Sequence, residues 1–297
     1  MSYSKVVDKV EVDPSLIPIT FATGDSAPSC ITLDDVDECR DSYLVEKLFT
    51  HDECKYLIEC AEKIGLDFWD PASVDSHPFR RAYTLECNHQ ALADFIWDRV
   101  NHLVLPKVNI SEADEHRHEI DIVGDWVPCG INPRFLFSRY RDGGHFAPHT
   151  DGCTIINLNE RSLFSCVIYL NSCDEGGQTR LYSNTQTSIP LEKDSHGRLT
   201  GKPELVIHTV DPVEGRMLVF YHQQLHEGVP AGCKYIIRTD VMYRREVPIC
   251  DEPQDREAFA LYLEAQAEAD RGNFEQSLPL FKRAFKMSPA ISRLYRM

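Results

Sequence analysis

The sequence predicts a mainly β chain with flanking helices, an α+β architecture whose central strands form a sandwich or barrel. Three observations predict it. From Val123 to about Tyr243, short β-branched and aromatic segments (PRFLFSRY, LFSCVIYLN, ELVIHTV, GRMLVFYH, KYIIRTDVMY) are separated by Gly, Asp, Asn and Pro clusters. Ahead of them, apolar residues recur at helical spacing after Thr50 and again after Gln90. After Pro253 the composition shifts to Ala, Leu, Glu and Lys.

Residues 1–40, with Pro14, Pro18, Gly24, Pro28 and the acidic stretch Asp34 to Glu38, read as a partly extended N-terminal arm. Thr50-His51-Asp52-Glu53 fits a capping box, with Thr50 at the N-cap and Glu53 reaching back to it. Tyr56, Leu57, Cys60 and Ile64 then follow on one helical face, and Gly65 suits the stop. A second helix is predicted from about Gln90 to Leu105, carrying Leu92, Phe95, Ile96, Val100 and Leu103 on one side and ending at Pro106. The polar stretch SNTQTSIPLEKDSHGRLTGKPE reads as a long loop between two strands. Glu257 to Met287 reads as two helices broken at Gly272-Asn273. The boundaries drawn are an arm at 1–40, a central domain at 41–248 and a helical hairpin at 253–297.

Charge and cysteine usage exclude several functions. Lys and Arg total 31 against 47 Asp and Glu, a net charge of −16. Such a chain lacks the positive face that nucleic-acid phosphates demand, and it is repelled by anionic membranes. Its field attracts a cationic partner instead. No apolar run reaches the ~20 residues of a membrane-spanning helix, and the N-terminus lacks a signal-peptide pattern. Eleven cysteines without a C-x-x-C pair argue against a disulfide framework or a structural zinc site. They read as thiols in a reducing compartment, cytoplasmic or nuclear.

The chemistry concentrates in YRDGGHFAPHTDG, residues 140–152. His149 and Asp151 are two apart and point to one side of a strand. His226, after the strand GRMLVFYH, supplies a third ligand. Two imidazoles and a carboxylate on one face of an octahedral ion form the facial triad of non-haem Fe(II) oxygenases. His-x-Asp alone is a weak signal, because twelve histidines make chance pairs common. Lys234, at the start of KYIIRTDVMY, would meet a distal carboxylate of a co-substrate. Arg238 is on the same strand face and competes for that role, and Tyr169 in CVIYLN can donate to the same carboxylate. His222 lacks the Glu-Gly that follows His226 and is expected to face away. His145 reads as a loop residue and Cys153 as inert packing. Asn132 and Arg134 alternate with apolar residues, so they face the pocket for substrate or serve structural hydrogen bonds.

In order, RYRDGGHFAPHTDG, CVIYLN, EGGQTRLY, PVEGRMLVFYHQQLHEG and GCKYIIRTDVMY resemble the Fe(II)/2-oxoglutarate-dependent dioxygenases of the prolyl 4-hydroxylase type, over about residues 43–244. The resemblance implies a double-stranded β-helix (jelly-roll) core. It implies Fe(II) on His149, Asp151 and His226, and 2-oxoglutarate at Lys234 with Tyr169, Tyr140 and Thr179, Arg238 remaining the rival anchor. It also implies O2 as co-substrate and activity supported by ascorbate. Gln178 stands where the family usually has Glu, and the stretch between His226 and Lys234 reads as a shortened loop. Arg161 lies near the family's substrate-contacting arginine; a plain surface arginine is the alternative. The expected reaction is hydroxylation of a peptidyl prolyl residue. A free amino acid or another small molecule is the alternative substrate, and an inactive binding module is the alternative of a different class. The segment DREAFALYLEAQAEADRGNFEQSLPLFKRAFKMSPAI resembles one tetratricopeptide repeat, with Gly272, Phe274, Ala284 and Pro289 at signature spacing and Pro279 as a departure. A single repeat cannot bury its apolar face alone, so it packs on the core or docks a protein partner.

Overall fold

The computed structural model describes residues 12–22, 24, 26–33, 39, 41–69, 78–114 and 121–295; most of the N-terminal arm's first dozen residues and the acidic stretch Asp34 to Glu38 lie outside them. In chain order the strands are β1 (Ser29–Thr32), β2 (Tyr43–Glu46), β3 (Asp67–Phe68), β4 (Arg80–Arg81), β5 (Tyr83–Asn88), β6 (Val108–Ile110), β7 (Gly124–Ile131), β8 (Arg134–His149), β9 (Ile155–Asn157), β10 (Glu160–Tyr169), β11 (Thr179–Tyr182), β12 (Glu192–Lys193), β13 (Leu199–Thr200), β14 (Val206–Val210), β15 (Met217–Tyr221) and β16 (His226–Arg245). The helices are α1 (His51–Ile64), α2 (Gln90–Val100), α3 (Pro253–Asp270), α4 (Phe274–Met287) and α5 (Pro289–Leu294). The chain divides into two compact units.

The first unit holds residues up to Val104, Gly130–Gly152 and Leu163–Val241. Its main strand path runs β1-β2-β15-β10-β16-β8-β5-β3, with antiparallel ladders, as a jelly-roll core requires. The strands at the centre are covered on both faces: every residue of β15, an apolar run, is buried, as is nearly all of β10. Tyr140, Val167, Tyr169, Leu181, Leu218, Phe220 and Ile236 meet in one cluster. The stretch between β11 and β14 is less bare than its polar composition predicts. It contains a 3-10 turn at Asn184–Ser188 and the small β12–β13 ladder, tied down where Thr200 donates to the buried Glu227 carboxylate at 2.9 Å.

Helix α1 starts as its sequence predicts. The Thr50 hydroxyl accepts from the Glu53 amide, and Glu53 accepts from the Thr50 amide at 2.8 Å. Glu53 also forms a buried two-pronged pair with Arg99 of α2, at 2.8 and 2.7 Å. The remaining Arg99 donors reach the Leu48 and Ala22 carbonyls. Helix α2 ends at Val100, short of the predicted Leu105, because the chain tightens into a turn at Leu103 and Val104 before Pro106.

The second unit holds Leu105–Cys129, Cys153–Ser162 and Met242–Met297. Helices α3 and α4 form the helical hairpin, broken where the sequence places Gly272-Asn273. Pro279 lies within α4 without ending it. Leu158, Ala258, Phe259 and Ile291 make this unit's core, and the Tyr262 ring stacks on Tyr295 at 4.1 Å.

Truncating Glu53 removes the carboxylate that pairs with the buried Arg99. Glu53→Ala is expected to lower unfolding stability by about 3–5 kcal/mol, against about 1 kcal/mol for the cap alone in Thr50→Ala. Denaturant unfolding of both variants measures the difference; equal losses would contradict the pairing.

Candidate metal and co-substrate site

Strands β8 and β16 pair antiparallel with His226 opposite His149, so both imidazoles leave the same face of the ladder. Asp151 follows two residues beyond the end of β8. Its Oδ1 lies 3.7 Å from His149 Nε2 and its Oδ2 lies 3.8 Å from His226 Nε2. One donor atom from each of the three residues falls within 4.8 Å of the others, the one such group among the described residues. Each ring is oriented through its far nitrogen: His149 Nδ1 bonds the Ala147 carbonyl at 2.8 Å and His226 Nδ1 the Gln224 carbonyl at 2.9 Å. That fixes the tautomer and leaves both Nε2 lone pairs for a cation, the usual arrangement behind a metal-binding histidine. Phe146 stacks on His149 at 3.5 Å, and the Phe220 ring lies 4.5 Å from His226. Burial and the neighbouring His226 push His149 down to about 3, so its ring is neutral at physiological pH. Burial would raise the Asp151 carboxyl, but Arg238, His226 and His149 together hold it below the usual carboxylate range. A neutral imidazole at His149 and an ionised carboxylate at Asp151 suit a divalent cation.

Lys234 stands opposite Tyr140 on the same ladder. The stretch from His226 to Lys234, expected as a shortened loop, is strand: β16 runs unbroken over it, and shifts in register at Gly228, Ala231 and Cys233 absorb the Gly and Pro residues as bulges. The Lys234 ammonium is wholly buried, sits over the Tyr140 ring at 4.8 Å and donates to the Gly177 carbonyl at 2.8 Å. Gly176 makes that contact possible. Its φ of +67° is in the left-handed region, and a Cβ there would stand 2.1 Å from the Pro230 carbonyl oxygen. Tyr169 is wholly buried and donates to the Thr179 hydroxyl at 2.7 Å. An ammonium has three donors, and one is used. Among the described residues no carboxylate pairs with it, and burial pushes the amine down to about 8. A buried cation of this kind fits an anionic co-substrate such as 2-oxoglutarate.

The other expected residues are placed differently. Arg238 faces Asp151 at 3.5 Å and pairs with Asp240 at 3.0 Å. Asn132 is buried and donates to Asp240 at 2.7 Å. Arg134 is exposed, at the opposite end of β8 from His149. Arg161 belongs to the second unit; it is buried, not a surface arginine, and pairs with Asp121 at 3.3 Å. His145 is buried within β8 and bonds the Pro78 carbonyl rather than lying in a loop.

Sequence reasoning missed three neighbours of the site. Ser165 donates to Asp151 Oδ2 at 2.6 Å. His222, expected to face away, bonds Ser165 through Nδ1 at 2.8 Å. Strict alternation carries the signal for both: Ser165 shares a strand face with Val167 and Tyr169, and His222 continues the face of Leu218 and Phe220. Arg80 rests over the Phe146 ring at 4.4 Å and the Trp69 ring at 5.4 Å. A two-residue strand gives no period to find it by.

Residues 135–239 match the model of the 2OG-Fe(II) oxygenase superfamily. The chain carries a 2OG-Fe(II) oxygenase domain. All three clustered ligands and Lys234 fall inside the matched segment of this oxygenase. The superfamily's cofactors are Fe(II), 2-oxoglutarate and O2, and the donor set above suits the first two. No curated protein matches the chain. Among solved structures, the oxygenase is similar to the viral collagen prolyl hydroxylase of Paramecium Bursaria Chlorella virus-1 in its 2OG complex (17% identity, 69% of this chain and 97% of that one, TM-score 0.39). It is also similar to a Pseudomonas putida prolyl-4-hydroxylase (18%, 70% and 94%, TM-score 0.39). A third is a Trichoplax adhaerens prolyl hydroxylase in complex with a hypoxia inducible factor peptide fragment (16%, 68% and 83%, TM-score 0.42).

A buried cation without its anion destabilises the ligand-free protein. The cost is present in full below the folded amine's value of about 8 and fades as pH rises toward the ordinary 10.5. Lys234→Met is therefore expected to stabilise the ligand-free oxygenase at neutral pH, by an advantage that shrinks between pH 8 and 10.5, while losing 2-oxoglutarate binding. Thermal melts across that range check it; a destabilised variant at pH 7 would contradict it.

Proposed function

We propose that the oxygenase hydroxylates a C–H bond of a peptidyl prolyl residue. In this reading His149, Asp151 and His226 hold Fe(II), and Lys234 receives the distal carboxylate of 2-oxoglutarate. Tyr140, Tyr169 and Thr179 line the co-substrate's side of the pocket. When bound, iron and 2-oxoglutarate supply the oxidising chemistry, activating O2 at the expense of the co-substrate's decarboxylation. The chain's own part is orientation and exclusion of water. The backbone carbonyls of Ala147 and Gln224 fix the two rings. Phe146 and Phe220 shield them, and Lys234 presents a charge that only an anion can satisfy. The observation that carries the reading is that charge, buried without a carboxylate on the ladder that bears the ligand cluster.

The prolyl assignment is supported by the ordered motifs from RYRDGGHFAPHTDG to GCKYIIRTDVMY, which resemble the prolyl 4-hydroxylase type. A peptide substrate also agrees with a chain of net charge −16, whose field would draw in a cationic segment. We place the protein in the cytoplasm or nucleus on its cysteine usage.

Succinate formation measured with iron, ascorbate and 2-oxoglutarate tests the assignment. Proline-containing peptides are expected to stimulate it, and Asp151→Ala to abolish both iron retention and coupled turnover. Stimulation by a free amino acid with none by any peptide would defeat the prolyl reading; full turnover by Asp151→Ala would defeat the metal site.

A further inference from the structure

We propose that Arg238 is a positioning residue for Asp151, acting with Ser165 and His222, and that it takes no part in holding the co-substrate. The inference rests on the reading of His149, Asp151 and His226 as the metal ligands. Arg238 and Lys234 share a face of β16, so sequence leaves their roles interchangeable. Their surroundings separate them.

The Arg238 guanidinium is already surrounded by partners from the protein itself. Nε faces Asp151 Oδ2 at 3.5 Å, Nη1 pairs with Asp240 Oδ1 at 3.0 Å, and Nη2 donates to the Gly152 carbonyl at 3.1 Å and the Ser165 hydroxyl at 3.2 Å. Asp240 is wholly buried and is held from its other side, where its Oδ2 accepts from Asn132 at 2.7 Å. A guanidinium whose charge already faces two of the protein's own carboxylates has little left to offer a third. Lys234 has the opposite character, with one neutral acceptor and, among the described residues, no carboxylate.

The same contacts select one oxygen of Asp151. Ser165 has a single hydroxyl proton, and its 2.6 Å contact to the carboxylate uses it. His222 Nδ1, 2.8 Å from the same hydroxyl, must then donate to it, and the His222 carbonyl accepts the Asp151 amide at 3.0 Å. Oδ2 thus accepts from Ser165 and faces Arg238, while among the described residues Oδ1 takes no such bond and is left for a metal. Asp151 lies beyond the end of β8, where no ladder fixes its side chain. The Arg238–Ser165–His222 set does so instead.

The test is Co(II) affinity of the otherwise ligand-free protein, followed by 2-oxoglutarate affinity at saturating Co(II). Because Arg238→Met alone removes the cation beside the buried Asp240, the double variant Arg238→Met/Asp240→Asn and the milder Ser165→Ala are measured beside it, with melting curves to confirm folding. Loss of partners behind a metal ligand costs about 10–100-fold in metal affinity, and that loss is expected in the folded variants, with 2-oxoglutarate affinity retained once metal saturates. Arg238→Lys, which keeps the charge, is expected to recover part of it. Lys234→Met is expected to do the reverse, keeping Co(II) and losing 2-oxoglutarate. Unchanged Co(II) affinity in the double variant and in Ser165→Ala, or a loss of 2-oxoglutarate affinity in the double variant as large as that of Lys234→Met, would overturn the proposal. Wild-type protein that binds no Co(II), or Asp151→Ala that binds it fully, would instead overturn the metal site itself.

Discussion

Pairing of β8 with β16 sets His226 opposite His149, Lys234 opposite Tyr140 and Arg238 opposite Leu136. The site inherits its geometry from that register. A slip of one residue would turn His226 and Lys234 to the outer face together, and no adjustment of side chains could restore them. The neighbouring elements defend the register. Strand β10, nearly all of it buried, neighbours β16 on the side away from β8. The Gly176-Gly177 turn closes on Pro230, where only glycine fits so near the backbone.

Within that frame the two basic residues of β16 represent opposite solutions to burying a positive charge. Arg238 is neutralised by the protein's own carboxylates, Asp151 and Asp240. Lys234 is left to an aromatic ring and one carbonyl. The first arrangement compensates the charge within the protein and faces the Asp151 carboxylate. The second destabilises the empty protein and is relieved by an anion, which is how a site stores selectivity for a charged small molecule.

Much of this was legible in the sequence, and the limits are physical. The capping box at Thr50 and Glu53 could be read because its partners are three residues apart. The break at Gly272-Asn273 was readable for the same reason. His149, Asp151 and His226 could be chosen because their residue types and strand positions suit one chemistry. By contrast, HEGVPAGCKY looks like a loop, since Gly and Pro usually interrupt strands, and only the facing strand reveals the bulges that accommodate them. The division of roles between Lys234 and Arg238 depends on Asp151, Ser165 and Asp240, which are remote or on other elements. Alternation places Arg238 on the inner face but cannot say which anion it meets. Asn132 was open between pocket and scaffold until Asp240 appeared beside it.

We propose that Lys234 is the buried cation that receives the co-substrate's carboxylate. Proton linkage reads this directly. With the amine held near 8 in the empty site, part of it is neutral at pH 8.5–9, and an arriving carboxylate would draw a proton back onto it. Calorimetric titration of 2-oxoglutarate into the metal-loaded protein at that pH, in buffers of different ionisation enthalpy, counts the protons taken up. Net uptake is expected, vanishing at pH 7, where the amine is already charged. Binding at pH 9 without proton uptake would contradict it.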